Sequence, residues 1–194
     1  MNEWNSLQQI VIGRRSIKPS LMNGKKIEQA SIKQLLALAD WAPTHGRTEP
    51  WRFIVYAGEK LKVFCHQHAN LYQAYTDTDK FTTAKYNGIL ETGEKVSHLV
   101  IVYMKRQLTQ KIPLIEEIAA VAAAVEHILL GAQALNIAAL WSTGGMTHHE
   151  SLKKLLELAD EDIIMGLLYL GYTDETSTEG KRNIPLSEKT TWHT

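Results

Sequence analysis

Arg14-Arg15-Ser16 is a compact group of hydrogen-bond donors near the start of this 194-residue chain. Two adjacent guanidiniums stay charged and present planar forks. Those forks match phosphate oxygens, or the polar edge of a heteroaromatic ring, better than an ammonium does. Far downstream, Trp141-Ser142-Thr143-Gly144-Gly145 forms a run of small residues. Such a turn lets backbone N–H groups approach a ligand closely. Each signal alone is common on protein surfaces. Together they point to a bound, oxygen-rich organic cofactor.

A third block, residues 42–53, lies between a helical pattern and an apolar strand pattern. Pro43 and Pro50 stiffen its ends, and it carries His45, Arg47 and hydroxyl groups. Loops held on a rigid scaffold often carry binding residues. A loop histidine satisfied by a local partner is the plain alternative for His45. Trp51 and Phe53 read as core. Among the other histidines, His66-Gln67-His68 and His148-His149 lack the i, i+3 or i+4 spacing of helical metal ligands, so no metal site is expected. Cys65 has no nucleophile signature around it, and Ser142 is not in a G-x-S-x-G elbow. No catalytic acid, base or nucleophile is assigned, and the chemistry falls to a cofactor that the protein binds and orients.

The elements that must position these residues follow from periodicity. Leu7, Ile10 and Val11 have helical spacing, closed by Gly13. Ser31-Ile32-Lys33-Gln34 has capping-box form, with Ser31 as N-cap of a helix that ends before Pro43. Residues 53–56, 98–104, 138–141 and 163–169 read as strands, the first ended by Gly58. Leu61, Phe64, Cys65 and Leu71 mark a helix after the first strand. The longest helical stripe runs through Ile118, Val121, Ala122, Val125, Ile128, Leu129, Ala132 and Leu135. Thr147-His148-His149-Glu150 is a second capping box, with a helix beyond it. Residues 76–94 are polar and poorly patterned. They read either as a mobile excursion over a site or as a plain surface helix and loop. Helices around a few strands, without βαβ alternation, indicate an α+β fold. No G-x-G-x-x-G follows a strand, which argues against a Rossmann dinucleotide domain.

The bulk properties narrow the function classes. Lysine plus arginine equals aspartate plus glutamate, 21 of each, so no net field draws nucleic acid or an anionic membrane. The apolar stretch 118–140 is interrupted by Glu126, His127, Gln133 and Asn136, and reads as a core helix rather than a membrane span. A single cysteine permits no intrachain disulfide, and the first residues lack signal-peptide form, so a cytoplasmic location is expected. One domain, 1–194, is expected, with 173–194 as a polar C-terminal extension.

Arg14-Arg15-Ser16, the block from Ala42-Pro43 to Pro50-Trp51-Arg52-Phe53, the Ala-rich helix and Trp141-Ser142-Thr143-Gly144 occur in this order from about Ile10 to Tyr172. As an ordered set they resemble the nitroreductase family of FMN flavoenzymes. The resemblance implies a central, mostly antiparallel sheet flanked by helices, in an intertwined homodimer with two FMN sites at the subunit interface. It implies that Arg14, Arg15 and Ser16 contact the FMN phosphate, ribityl chain or ring edge from one subunit. Trp41 and His45 would reach the same flavin from the other subunit, while Ser142, Thr143 and Gly144 close over it from the first. Arg182 would lie on the phosphate, Gln133 and Asn136 near the nicotinamide, and the C-terminal extension would be placed to wrap the partner. The chain departs from relatives at Gly46-Arg47-Thr48, where they often carry an amide, and at Trp41, where a small relative has Arg.

The implied activity is hydride transfer from NADH or NADPH through FMN to a nitroaromatic, quinone or similar small acceptor, in a ping-pong cycle. A non-catalytic FMN-binding or storage protein, or another flavin reaction of the same superfamily, are the alternatives.

Overall fold

The computed structural model describes residues 2–176 and 179–194. Four strands form one antiparallel sheet: β1 (Trp51–Ala57), β2 (His98–Met104), β3 (Ala138–Ser142) and β4 (Ile163–Gly171), in the order β1-β2-β4-β3. The expected α+β class and antiparallel sheet are what the chain forms.

The two central strands explain the layering. Along β2, Leu99 and Ile101 point to one face while Val100, Val102 and Met104 point to the other, and all five are fully buried. A strand apolar on both faces needs cover on both. On one side lie α5 (Leu114–Ala134) and α2 (Gln29–Ala39), bringing Val121, Val125, Ile128, Ile32 and Leu35 onto the sheet. On the other lie α3 (Gly58–Tyr75) and α6 (Glu150–Leu155), bringing Leu61, Phe64, Cys65 and Leu152. The Ala-rich stripe of α5 lets that helix sit close to the strands.

Two local expectations are corrected. The helix expected to begin at Ser31 begins at Gln29, with Glu28 as N-cap and no side-chain cap bond. The chain entering it is fixed upstream: Ile27 is buried and its N–H donates to Ser97 Oγ at 2.7 Å, so the backbone turns into helix earlier than a Ser31 cap would set. The second capping box is also replaced. His149 caps α6 by accepting from Ser151 N–H, while Thr147 Oγ1 donates instead to the Gly144 carbonyl at 2.6 Å. Residues 76–94 form a loop and a helix whose Lys85 and Thr92 line a cavity at the end of β3. Thr82 caps α4 (Thr83–Lys95), which packs on α3 where Gly93 leaves only contact distance to the Lys62 Cα. Tyr72 of α3 ties the preceding loop down, donating to the Lys80 carbonyl and accepting from Thr82 N–H.

Helix α1 (Glu3–Gly13) is the exception to this packing. Asn2 caps it by accepting from Asn5 N–H, and Gly13 is its last residue, yet none of its residues is buried. Trp4, Leu7, Val11 and Ile12 are exposed. With Leu38, Trp41, Leu130 and Gly131, residues Leu7 and Ile10 line an apolar hollow of about 360 Å3.

Gly166 of β4 carries the tightest demand on the sheet. The ladder slips between Val102 and Tyr103 opposite it, and the Trp141 indole of β3 lies across it, donating to the Met165 carbonyl at 2.9 Å. A methyl group at position 166 would stand 2.2 Å from Trp141 Nε1 and 3.0 Å from the Ser142 carbonyl. Replacing Gly166 with Ala is therefore expected to displace Trp141 and destabilise the fold by roughly 1–3 kcal/mol, the usual cost of overpacking. Denaturant unfolding and tryptophan emission measure both; unchanged stability with unchanged emission contradicts this packing.

Candidate functional site

The N-terminal donor group is held to the sheet by a single bridge. After α1 ends, Ser16 pairs in parallel with Ala139 of β3, and Ile17 N–H donates to the Ala139 carbonyl at 2.9 Å. From there the chain runs alongside β3, so that Pro19 and Ser142 line one cavity. Arg15 lies at the other end, beside Ala138. Ala138 and Ser142 are four residue steps apart along β3, roughly 13 Å at the usual rise. Arg14-Arg15-Ser16 and the 142–145 turn are thus brought to two ends of one elongated surface rather than into one cluster.

At the arginine end, Arg14 forms an ion pair with Glu126 of α5 at 3.6 Å. Arg15 Nη1 donates to the Ile12 and Arg14 carbonyls, both at 2.7 Å, closing the end of α1 as a cation there should. Arg15, Gln133 and Asn136 line a small cavity of about 110 Å3 together with Gly13, Thr173 and Glu175. Two of the positions singled out for the nicotinamide therefore neighbour the arginine end. The C-terminal segment crosses here: a methyl group at Gly180 would stand 2.5 Å from Arg15 Nη2. Arg182, two residues on, is exposed and donates to the Lys181 carbonyl.

At the turn end is a cavity of about 300 Å3. Ser142, Gly144 and Gly145 line it with Pro19, Leu140 and Tyr169, and α3 and α4 add His68, Lys85 and Thr92. Gly145 has φ +67°, a conformation suited to glycine. Gly144 N–H donates to Ser142 Oγ at 3.3 Å, and Thr147 holds the Gly144 carbonyl. Thr143 is exposed in the same turn. Among the described residues, no carboxylate lines this cavity. The Lys85 ammonium sits 4.8 Å from the Tyr72 ring centroid, a cation–π arrangement. Burial pushes the Tyr169 phenol up, so it remains a protonated donor. The walls therefore suit an electron-rich or anionic planar group.

Trp41 and His45 are not brought to either end. Trp41 is 84% exposed and borders the apolar hollow beside α1. His45 opens a one-turn 3-10 helix, His45–Arg47, and its Nδ1 is 2.6 Å from the Glu116 carboxylate. Gly46, Arg47 and Glu49 in this loop have positive φ, so the loop holds a strained backbone.

His68, Lys85, Thr92 and Tyr169 were missed as site residues. In the sequence, His68 stands out only as half of the His66–His68 pair. A helical signal was available: Leu61, Phe64, Cys65, His68, Ala69 and Tyr72 form the buried face of α3, so an imidazole stands within an apolar stripe. Its Nε2 accepts Met146 N–H at 3.3 Å, and burial with the nearby Lys85 charge pulls its pKa down to about 4. Lys85 and Thr92 belong to α4, whose sequence carries little pattern. Among the described residues, no group of three or more His, Cys, Asp and Glu side chains could hold a metal ion.

A family model described as Nitroreductase family matches residues 11–172. The chain is 24% identical over 193 residues to the "Putative NAD(P)H nitroreductase YfhC" of Bacillus subtilis, spanning 98% of this chain and 96% of that protein. The crystal structure of a nitroreductase-like family protein from Bacillus cereus superposes with a TM-score of 0.81 at 26% identity, covering 100% of this chain and 98% of that one. The FMN-dependent nitroreductase NfnB from Mycobacterium smegmatis, solved in complex with NADPH, shares the fold with a TM-score of 0.75 at 13% identity, over 100% of both chains.

Cys65 gives a direct check on the wall beneath the turn. It is buried beside Gly93, and desolvation pushes its thiol up to about 12, leaving almost no thiolate near neutral pH. The folded protein is expected to resist thiol reagents at about pH 8 and to react fully once denatured, read by the absorbance of a released chromophore. Rapid labelling of the folded protein contradicts this packing of α3 against α4.

Proposed function

The chain belongs to the nitroreductase family, and from that premise we propose that it is an FMN-dependent NAD(P)H oxidoreductase acting on small, flat acceptors such as nitroaromatics or quinones. The observation that carries this reading is the pairing of two complementary ends about one strand length apart. One end offers Arg14, Arg15 and Ser16; the other is a carboxylate-free cavity bounded by the 142–145 turn and Lys85. Guanidiniums and a hydroxyl fit a phosphate. A cavity of about 300 Å3 with Leu140 on its wall and backbone donors at its rim fits the ring of the same molecule.

When bound, the flavin supplies reversible two-electron transfer. The chain's own residues bind and orient. Arg14 is half-occupied by Glu126 across 3.6 Å, a partly exposed pair that an anion can displace. The 142–145 turn borders the proposed ring site, with Ser142, Thr143 and Gly144 as its proposed contacts. Arg182 is the proposed second cation for the phosphate, reached by the segment that already crosses Arg15. Gln133 and Asn136 are the proposed nicotinamide contacts. Successive use of one pocket by NAD(P)H and by the acceptor gives ping-pong kinetics, and no side-chain acid is required.

The proposed working form is a homodimer, supported by α1. An 11-residue helix with no buried residue and an open apolar hollow beside it calls for cover, and a second copy is the proposed cover. Across that interface Trp41 and His45 would meet the partner's cofactor, and residues 173–194 would lie over the partner. The chain is proposed to act as one domain in the cytoplasm. No helix among the described residues is long and apolar enough to cross a membrane.

Purified protein should be yellow, release FMN on heating, bleach with NADH or NADPH and recover with an acceptor. Colour without bleaching would favour a storage protein, and FAD or no flavin would overturn the assignment. Arg14→Ala should weaken FMN binding by roughly 1.5–3 kcal/mol, the range for hydrogen bonds to charged groups. Chains carrying His45→Ala and Arg14→Ala, co-expressed with different tags, should recover activity in mixed dimers, because both lesions then fall in one site. Mixed dimers without activity would place both residues at the same chain's site.

A further inference from the structure

Nothing in the proposed function uses His68, the imidazole within the apolar face of α3. It is 97% buried by its 3% exposure, and it lines the cavity at the turn end. Met146 N–H donates to its Nε2 at 3.3 Å. A backbone N–H can only donate, so Nε2 must carry a lone pair and the ring proton must sit on Nδ1. The ring is also the surface on which the turn rests. A methyl group at Gly145, where φ is +67°, would stand 3.2 Å from Nε2. On the far side, Thr147 Oγ1 holds the Gly144 carbonyl at 2.6 Å. The 142–146 turn is therefore clamped between one acceptor and one donor, and the acceptor is His68.

We propose that His68 is a positioning residue: as a neutral imidazole protonated on Nδ1, it fixes the turn that borders the cavity proposed for the flavin ring. This rests on the flavin reading above. Protonation would turn Nε2 into a donor facing a donor and release the turn. The groups around it keep it neutral. Burial acts most strongly, the Lys85 ammonium of α4, held over the Tyr72 ring, adds to it, burial pushes the Cys65 thiol of α3 and the Tyr169 phenol of β4 up so that neither supplies an anion, and among the described residues no carboxylate lines the cavity. The sign of the pH effect follows. The folded state binds this proton only near pH 4, whereas the unfolded chain takes it up near the ordinary imidazole value of 6.5. His68 therefore supports folding fully above about pH 6.5, and that support is lost progressively as pH falls toward 4.

The test compares the full chain with His68→Gln, His68→Asn and His68→Phe. Glutamine places an amide oxygen near the Nε2 position, asparagine reaches only the Nδ1 position, and phenylalanine keeps volume without an acceptor. His68→Gln should bind FMN within about threefold of the parent, while Phe and Asn weaken it about tenfold, the scale of one lost hydrogen bond. Circular dichroism confirms the fold; should the Phe variant not fold, the Gln and Asn pair decides. The stability gained between about pH 5 and pH 7 should be present in the parent and reduced in all three variants. Equal FMN affinity in the Gln and Asn variants, or a Phe variant that binds like the parent, overturns the proposal. Should the parent bind no flavin, the flavin reading fails by itself. Nitrogen-15 shifts of the imidazole in the flavin-free protein then still decide the tautomer: a protonated Nε2 overturns the inference, and a protonated Nδ1 upholds the clamp.

Discussion

The parallel bridge between Ser16 and Ala139 is the contact on which the site depends. β3 is the edge of the sheet, paired to β4 along one side. An edge strand leaves backbone groups open on its other side. Ile17 N–H takes one of them at 2.9 Å, and this sets where the whole N-terminal segment lies. It puts Arg14 and Arg15 beside the start of β3 and Pro19 beside its end, where the 142–145 turn begins. The distance between the two donor sets is therefore fixed by strand geometry, not by the flexible side chains themselves.

Rigidity behind β3 comes from the centre of the sheet. β2 and β4 are buried on both faces, and α3 and α5 clamp them from opposite sides. The same arrangement ties the site to the core through single atoms: Trp141 to the Met165 carbonyl, Met146 to His68, Thr147 to Gly144. Elsewhere a buried charge is also satisfied locally. Glu117 of α5 is almost fully buried, and Arg106 and Gln107 both donate to it; removing Arg106 would leave that buried carboxylate without its counter-charge. α1 and the hollow beside it are apolar and open, and this is where the reading of a second chain has its physical basis.

Much of this was legible from residue order. His98 to Met104 was readable with correct bounds because both its faces are apolar, so the run is continuous and ends sharply. The stripe of α5 and the closure of α1 at Gly13 were equally plain. Caps were less so. Ser31 and Thr147 both match a local motif, but Ile27 is fixed by distant Ser97 and Thr147 is drawn to Gly144, and such tertiary partners do not show in a four-residue window. The two ends of the site were legible as donor-rich segments. The wall of the cavity at the turn end is not legible, because Lys85 and Thr92 lie on a helix with a weak pattern and His68 is one of a pair with metal-like residue types. Trp41 and His45 sit apart from both ends within one chain, so their proposed role waits on a partner that no single-chain pattern can place.

The central claim is that one elongated ligand spans both ends of β3. A crystal structure of the protein reconstituted with FMN tests it most directly. The account predicts the phosphate at Arg14, Arg15 and Ser16 and the ring against the 142–145 turn, above the Tyr169 and Lys85 wall. A flavin seated instead in the hollow beside Leu7 and Leu38, or a phosphate bound away from both arginines, would contradict it.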